Sequence, residues 1–98
     1  MSIAAADRWI HPDQELVARM AAGDTAALDE LRTRHGRTAY ALAFGILMDS
    51  VSAEHAVREA FLEAFSLAAR FTPGDLTVLA WLTSLTRRRA EILAATHF

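Results

Sequence analysis

The sequence contains no cysteine, which excludes a disulfide framework and a cysteine-based zinc knuckle and fits an intracellular compartment. Two prolines and four glycines in 98 residues are too few for an all-β chain, which needs a turn signal roughly every eight to twelve residues. Both prolines, Pro12 and Pro73, fall near segment ends and leave the interior free to be helical. No window approaches the roughly 18 to 20 apolar residues of a membrane span. The first ten residues, MSIAAADRWI, carry Asp7 and Arg8 and lack the positive leading segment of a secretion signal, so the expected location is the cytoplasm. Lysine is also missing: all ten basic residues are arginine, and the net charge is −2. The chain as a whole therefore does not attract nucleic acid, and any such contact has to come from a local patch. Seven arginines supply two candidate groups, Arg32, Arg34 and Arg37, then Arg70, Arg87, Arg88 and Arg89, and the planar guanidinium fork suits phosphates and base edges.

What is present is apolar but small. The hydrophobic fraction is 53%, much of it alanine, a composition that favours closely approaching helices. At this length about two thirds of the unfolded chain's surface can be buried, enough for one modest core. Residues 1 to 12 read as a flexible leader, because Ile3, Trp9 and Ile10 lack a sustained period and Pro12 closes the segment. Residues 13 to 98 form the expected domain, an all-α four-helix bundle with short connections.

The first helix is predicted to start at Asp13 as its cap, to bury Leu16, Val17 and Met20, and to stop at Gly23. Asp24 caps a second helix over residues 25 to 48, with Leu28, Leu31, His35, Ala39, Leu42 and Ile46 on one stripe and Tyr40, Phe44 and Leu47 beside it. Its second half is expected to be buried between other helices. Gly36 and Gly45 each cost about 1 kcal/mol relative to alanine, which predicts a close backbone approach or a kink. After a turn at Asp49, Ser50 and Val51, Ser52 is the expected cap of a third helix whose apolar stripe is Ala56, Val57, Ala60, Phe61, Ala64 and Ala68. Glu54, His55, Arg58, Glu59, Glu63 and Ser66 lie opposite, with Glu54 and Arg58 spaced for an ion pair. The run from Arg70 through Phe71, Thr72 and Pro73 to Gly74 ends this helix. A fourth starts near Asp75 or Leu76, turns Val78, Leu79, Leu82, Leu85, Ala90 and Leu93 inward, and places Trp81, Ser84, Arg88 and Glu91 on another face.

Three segments, in order and at consistent spacing, carry a family resemblance: DQELVARMAAGDTAALDELRTRHGRTAYALA, AEHAVREAFL, and RFTPGDLTVLAWLTSLTRRRAE. Over about residues 13 to 95 the chain resembles region 2 of the extracytoplasmic-function (ECF) sigma factors. The resemblance implies a non-enzymatic bacterial transcription-initiation domain with RNA polymerase core, through its β′ subunit, and promoter DNA as partners. An anti-sigma factor is a possible regulator in the family, and no cofactor, metal, membrane or small-molecule substrate is implied.

By the same resemblance the third helix meets the β′ clamp through Glu54, His55, Arg58, Glu59 and Leu62. The loop over residues 72 to 77 and the fourth helix accept flipped bases of the minus-ten non-template strand, with Thr72, Thr77, Trp81, Ser84, Arg87 and Arg88 as the DNA-binding residues. That task needs polar groups, an aromatic wall and cations for the phosphates. The sequence departs from the family where His55 replaces an acid, Arg58 a glutamine, Arg88 an asparagine, Ile92 an aspartate and Ala95 a basic residue. Arg89 lies near the apolar stripe, which its stem can cover. The family's second domain, a helix-turn-helix module, has no counterpart after Phe98, so the expectation is an excised domain or a short relative.

Other chemistry finds less support. His35, on an apolar stripe, reads as a satisfied, partly buried histidine. His55 and Glu59 have the spacing of a metal pair without a third ligand. Asp49, Ser50, Ser52 and His55 include the residue types of a hydrolase triad, but no strand-turn-helix elbow or oxyanion hole accompanies them. Two other readings keep a helical fold: a divergent single-domain sigma-like regulator that does not initiate transcription, and a helical oligomerisation module.

Overall fold

A computed structural model describes residues 11 to 72, 74 and 76 to 96. The leader up to residue 10, and Pro73 and Asp75 in the predicted third turn, lie outside the described residues. Helix α1 spans Asp13–Ala21, α2 Thr25–Leu47, α3 Ser50–Leu67 and α4 Val78–Thr96, with a 3₁₀ turn at Ala68–Arg70 extending α3. Among the described residues there is no strand, and the all-α four-helix bundle expected from the sequence is the observed architecture.

The α1–α2 corner follows from one glycine. Gly23 takes φ +91°, its N–H bonds the Met20 carbonyl (2.9 Å), and the Asp24 N–H bonds that of Arg19 (2.9 Å). This closes the free carbonyls of α1 in the pattern a left-handed residue allows. Asp24 then caps α2 by accepting from the Ala26 N–H (3.0 Å) and receives the Arg19 guanidinium at 2.8 Å. Those contacts, Arg19 first, hold its carboxyl below the usual carboxylate range.

Two predicted caps are displaced. Pro12 occupies the N-cap of α1, and Asp13 sits inside the first turn. There its carboxylate bridges helices: Oδ2 lies 2.7 Å from His35 Nε2, and Oδ1 accepts from Arg34 Nη1 (3.1 Å). His35 is thus the partly buried, satisfied histidine that its place on the stripe predicts. Asp49, not Ser52, caps α3, accepting from the Ser52 N–H at 2.8 Å. With the cap at Asp49 the corner is reduced to Met48, in the left-handed region at φ 54°, and Asp49.

The core has two parts. Leu16, Val17 and Met20 of α1 meet Leu28 and Leu31 of α2, Phe61 of α3, and Val78, Leu82 and Leu85 of α4. Farther along, Ala43, Ala53, Ala56 and Ala90 bring α2, α3 and α4 into close contact. Thr86 is fully buried, and its hydroxyl donates to the Leu82 carbonyl (2.8 Å). The second half of α2 is less enclosed than its apolar pattern suggests: Phe44 and Met48 are exposed, the latter at 72%. The small Ala43 makes the closest contact there, with Tyr40, Ile46 and Leu47 partly buried beside it and Phe44 turned outward. A β-carbon added at Gly36 or Gly45 meets nothing within 4 Å, so neither glycine marks a close approach. Helix α4 begins at Val78, later than predicted, and Leu79 is partly exposed instead of belonging to the core.

Candidate functional site

The outer face of α3 follows from its inner one. Ala53, Ala56, Ala60, Phe61 and Ala64 are buried against α2 and α4, which turns the complementary stripe outward at about 100° per residue. Glu54, His55, Arg58 and Leu62 are exposed on it, and Glu59 is half-buried at its margin. All five predicted polymerase-binding residues therefore share one face. On this face His55 Nε2 lies 3.7 Å from Glu59 Oε1, and the Glu54–Arg58 pair that the spacing suggested does not form. Among the described residues no group of three potential metal ligands forms.

Sequence reasoning missed part of this surface. Val51, placed in a turn by pattern, belongs to the first turn of α3, 74% exposed and in line with Arg58 and Leu62. Arg32, Gly36 and Tyr40 of α2 line a groove with Val51, Glu54, His55, Val57 and Arg58. Their spacing of four residues was the available signal, and Gly36, with open space where a β-carbon would stand, keeps the groove floor clear. The first arginine group is divided: Arg32 reaches this groove, whereas the Arg34 side chain is only 3% exposed and pairs with Asp13 and Glu30. Positions two apart on a helix point about 200° away from each other, so the two cannot share a patch.

The second surface surrounds α4. The Thr77 hydroxyl accepts from the Ala80 N–H (3.0 Å), which makes Thr77 the helix cap. Trp81, one turn on, is half-buried and tilts against Phe71, ring centroids 4.7 Å apart at 40°. Ser84, Arg87 and Arg88 continue outward along the helix, and Thr72 is exposed in the preceding loop. Thr77, Trp81, Ser84 and Arg88 thus fall on one stripe, with Arg87 flanking it. Arg88 does not stand free: its Nη2 donates to Glu63 Oε2 of α3 (2.5 Å), while Arg89 Nε donates to Oε1 of the same carboxylate (3.3 Å).

The profile of the family described as Sigma-70 region 2 matches residues 31–91, which include all of α3 and most of α4. The chain belongs to the sigma-70 region 2 family. It is also similar to the ECF RNA polymerase sigma factor SigK of Mycobacterium tuberculosis (strain ATCC 25618 / H37Rv) and to that of Mycobacterium bovis (strain BCG / Pasteur 1173P2). Each is 32% identical over 75 residues, covering 76% of this chain and 40% of the relative. The chain thus corresponds to about 40% of the length of these curated relatives. No solved structure matches it.

The matched residues begin within α2, so α1 precedes the part of this region 2 chain that carries the family signature. Both candidate faces lie inside that part. The motif AEHAVREAFL supplies the buried stripe and the outward stripe of α3 together, and the RFTPGDLTVLAWLTSLTRRRAE segment supplies Phe71, Trp81 and the arginines. The Glu63 contact to both arginines is the other feature missed in the sequence, because 25 or more residues separate the partners. Among the described residues no helix is long and apolar enough to cross a membrane.

Proposed function

We propose that this region 2 domain docks on the β′ clamp of RNA polymerase through the outer face of α3 and captures unpaired bases of the minus-ten non-template strand beside α4. The observation that carries this reading is the presence, on a sigma-70 region 2 chain, of two outward stripes on adjacent helices, one with Glu54, His55, Arg58, Glu59 and Leu62 and the other with Thr77, Trp81, Ser84 and Arg88. The domain performs no covalent chemistry in this account. It stabilises an opened strand by binding what the opened duplex exposes.

Each group has a physical task. The Phe71–Trp81 pair forms an aromatic wall on which an unpaired base can stack. Thr72 and Ser84 offer hydroxyls that both donate and accept, and Arg87 provides a cation for a phosphate. On α3, Leu62 and Val51 are apolar anchors among Glu54, His55, Arg58 and Glu59, the usual composition of a centre with a charged rim. Possible regulation by an anti-sigma factor belongs to the same family-based reading.

A sigma-like regulator that holds its partner without opening promoters is the second reading. One observation favours it: Arg88, which stands where the family has a base-reading asparagine, is bonded to Glu63. Fluorescence anisotropy with a labelled minus-ten non-template strand and a scrambled strand separates the two. The first reading predicts preference for the minus-ten strand and a binding constant that falls with salt by about 0.7 log units per log unit for each neutralised phosphate. Equal binding of both strands favours the regulator. Trp81→Ala is expected to weaken strand binding at least about fivefold, since base stacking on an aromatic contributes about 1 to 3 kcal/mol. Trp81→Phe is expected to retain most of the affinity. A Trp81→Ala variant that melts as a folded domain and binds as wild type removes the aromatic wall from the account.

A further inference from the structure

We infer that Glu63 is a built-in competitor for the DNA phosphates, a latch on α3 that holds Arg88 and Arg89 of α4 away from the strand; this rests on the single-strand reading above. The carboxylate sits at the junction of the two helices, with its side chain 18% exposed, and gives one oxygen to each arginine. The Arg88 side chain remains 57% exposed, so its unoccupied donors still face solvent at the stripe that carries Trp81 and Ser84.

Exposed ion pairs contribute little to stability because water screens both partners and two long side chains must be ordered. Here one carboxylate, already largely withdrawn from water, serves two guanidinium groups fixed on a neighbouring helix. Part of the ordering is therefore complete in the folded bundle. A phosphate approaching Arg88 offers the same kind of charge-assisted bond that Glu63 already provides, and it also meets the negative charge of Glu63. The strand gains from Arg88 only the difference between the two contacts. Arg87, one position away, has no ion pair among the described residues and meets no such competition. The latch thus lowers sequence-independent phosphate binding while leaving the aromatic wall and hydroxyls available, so strand capture depends more on the bases.

Neutralising the latch tests this. The probe is a fluorescein-labelled single-stranded thymidine oligonucleotide, titrated with the 98-residue chain at several salt concentrations. Glu63→Gln is expected to bind about fivefold tighter than wild type at low salt, equivalent to about 1 kcal/mol. Its salt dependence is expected to steepen by about 0.7 for each additional phosphate contact. Glu63→Ala, which removes the acceptor altogether, is expected to show the same gain. Adding Arg88→Gln and Arg89→Gln to Glu63→Gln is expected to abolish it. Asp29→Asn, which removes one negative charge from an exposed site on α2, is expected to leave affinity within about twofold of wild type, as a net-charge control.

Strand binding that is equal in wild type and both Glu63 variants overturns the latch while leaving the single-strand reading intact. A gain that survives loss of both arginines, or that Asp29→Asn reproduces, also overturns it, because net charge then accounts for the effect. Absence of binding in every variant removes the single-strand reading and the latch with it. Binding by the Glu63 variants alone supports the latch in its strongest form.

Discussion

Phe61→Ala is expected to destabilise the domain by about 3 to 5 kcal/mol, the usual range for removing a buried phenyl ring. Phe61 is 1% exposed and belongs to the cluster in which all four helices meet. The other buried positions of α3, Ala53, Ala56, Ala60 and Ala64, are alanines with no flexible atoms to move into the space it leaves. Any filling of the cavity has to come from Leu16, Met20, Leu31 and Leu82 on the other helices. A domain of this size has a total stability of about 5 to 15 kcal/mol, so the loss is a large fraction of the total. Thermal melting followed by circular dichroism is expected to fall by at least about 12 °C, at 4 to 8 °C per kcal/mol. A shift below about 4 °C would mean that Phe61 is not the centre of the core.

Leu62→Asp tests the adjacent residue, which faces outward. Leu62 is 51% exposed, so the substitution is expected to alter folding stability by no more than about 0.5 kcal/mol. On the proposed clamp-binding face it should act very differently. An apolar anchor at an interface centre typically contributes 2 kcal/mol or more, and a carboxylate in its place also has to be desolvated. Binding to a β′ clamp-helix fragment is expected to weaken at least about 30-fold, the equivalent of 2 kcal/mol. Reversing the charges at Arg58 and Glu59 should weaken it as well, through like-charge contacts at the rim. Wild-type affinity in a folded Leu62→Asp protein would remove the outer face of α3 as the docking surface.

Neighbouring residues with opposite fates show how much of the protein was legible in its sequence. Helical periodicity turned Phe61 inward, and the same reasoning located Leu16, Val17, Met20, Leu31 and Leu82, whereas Leu62, outward in the structure, was singled out only by the family resemblance. Periodicity also grouped Glu54, His55, Arg58 and Glu59 on one face. Local competition was harder to judge. Asp49 and Ser52 are both good caps, and only the length of the corner decides which one is used. Phe44 continues an apolar pattern, but among the described residues no partner helix covers it. The contacts that change the functional picture are distant in sequence: Asp13 with Arg34 and His35, and Glu63 with Arg88 and Arg89. A one-dimensional pattern gives the face on which an arginine lies, but not the carboxylate a neighbouring helix brings to it.

The exposed Glu54, Arg58 and Leu62 belong to α3 and Trp81 and Ser84 to α4, and the proposal seats the clamp and the strand on these separate surfaces. The most direct measurement is titration of the labelled minus-ten non-template strand into the domain with and without a saturating β′ clamp-helix fragment. The account predicts a ternary complex, with strand affinity unchanged or increased by the fragment. Displacement of the strand as the fragment is added would contradict it, because both partners would then be using one surface.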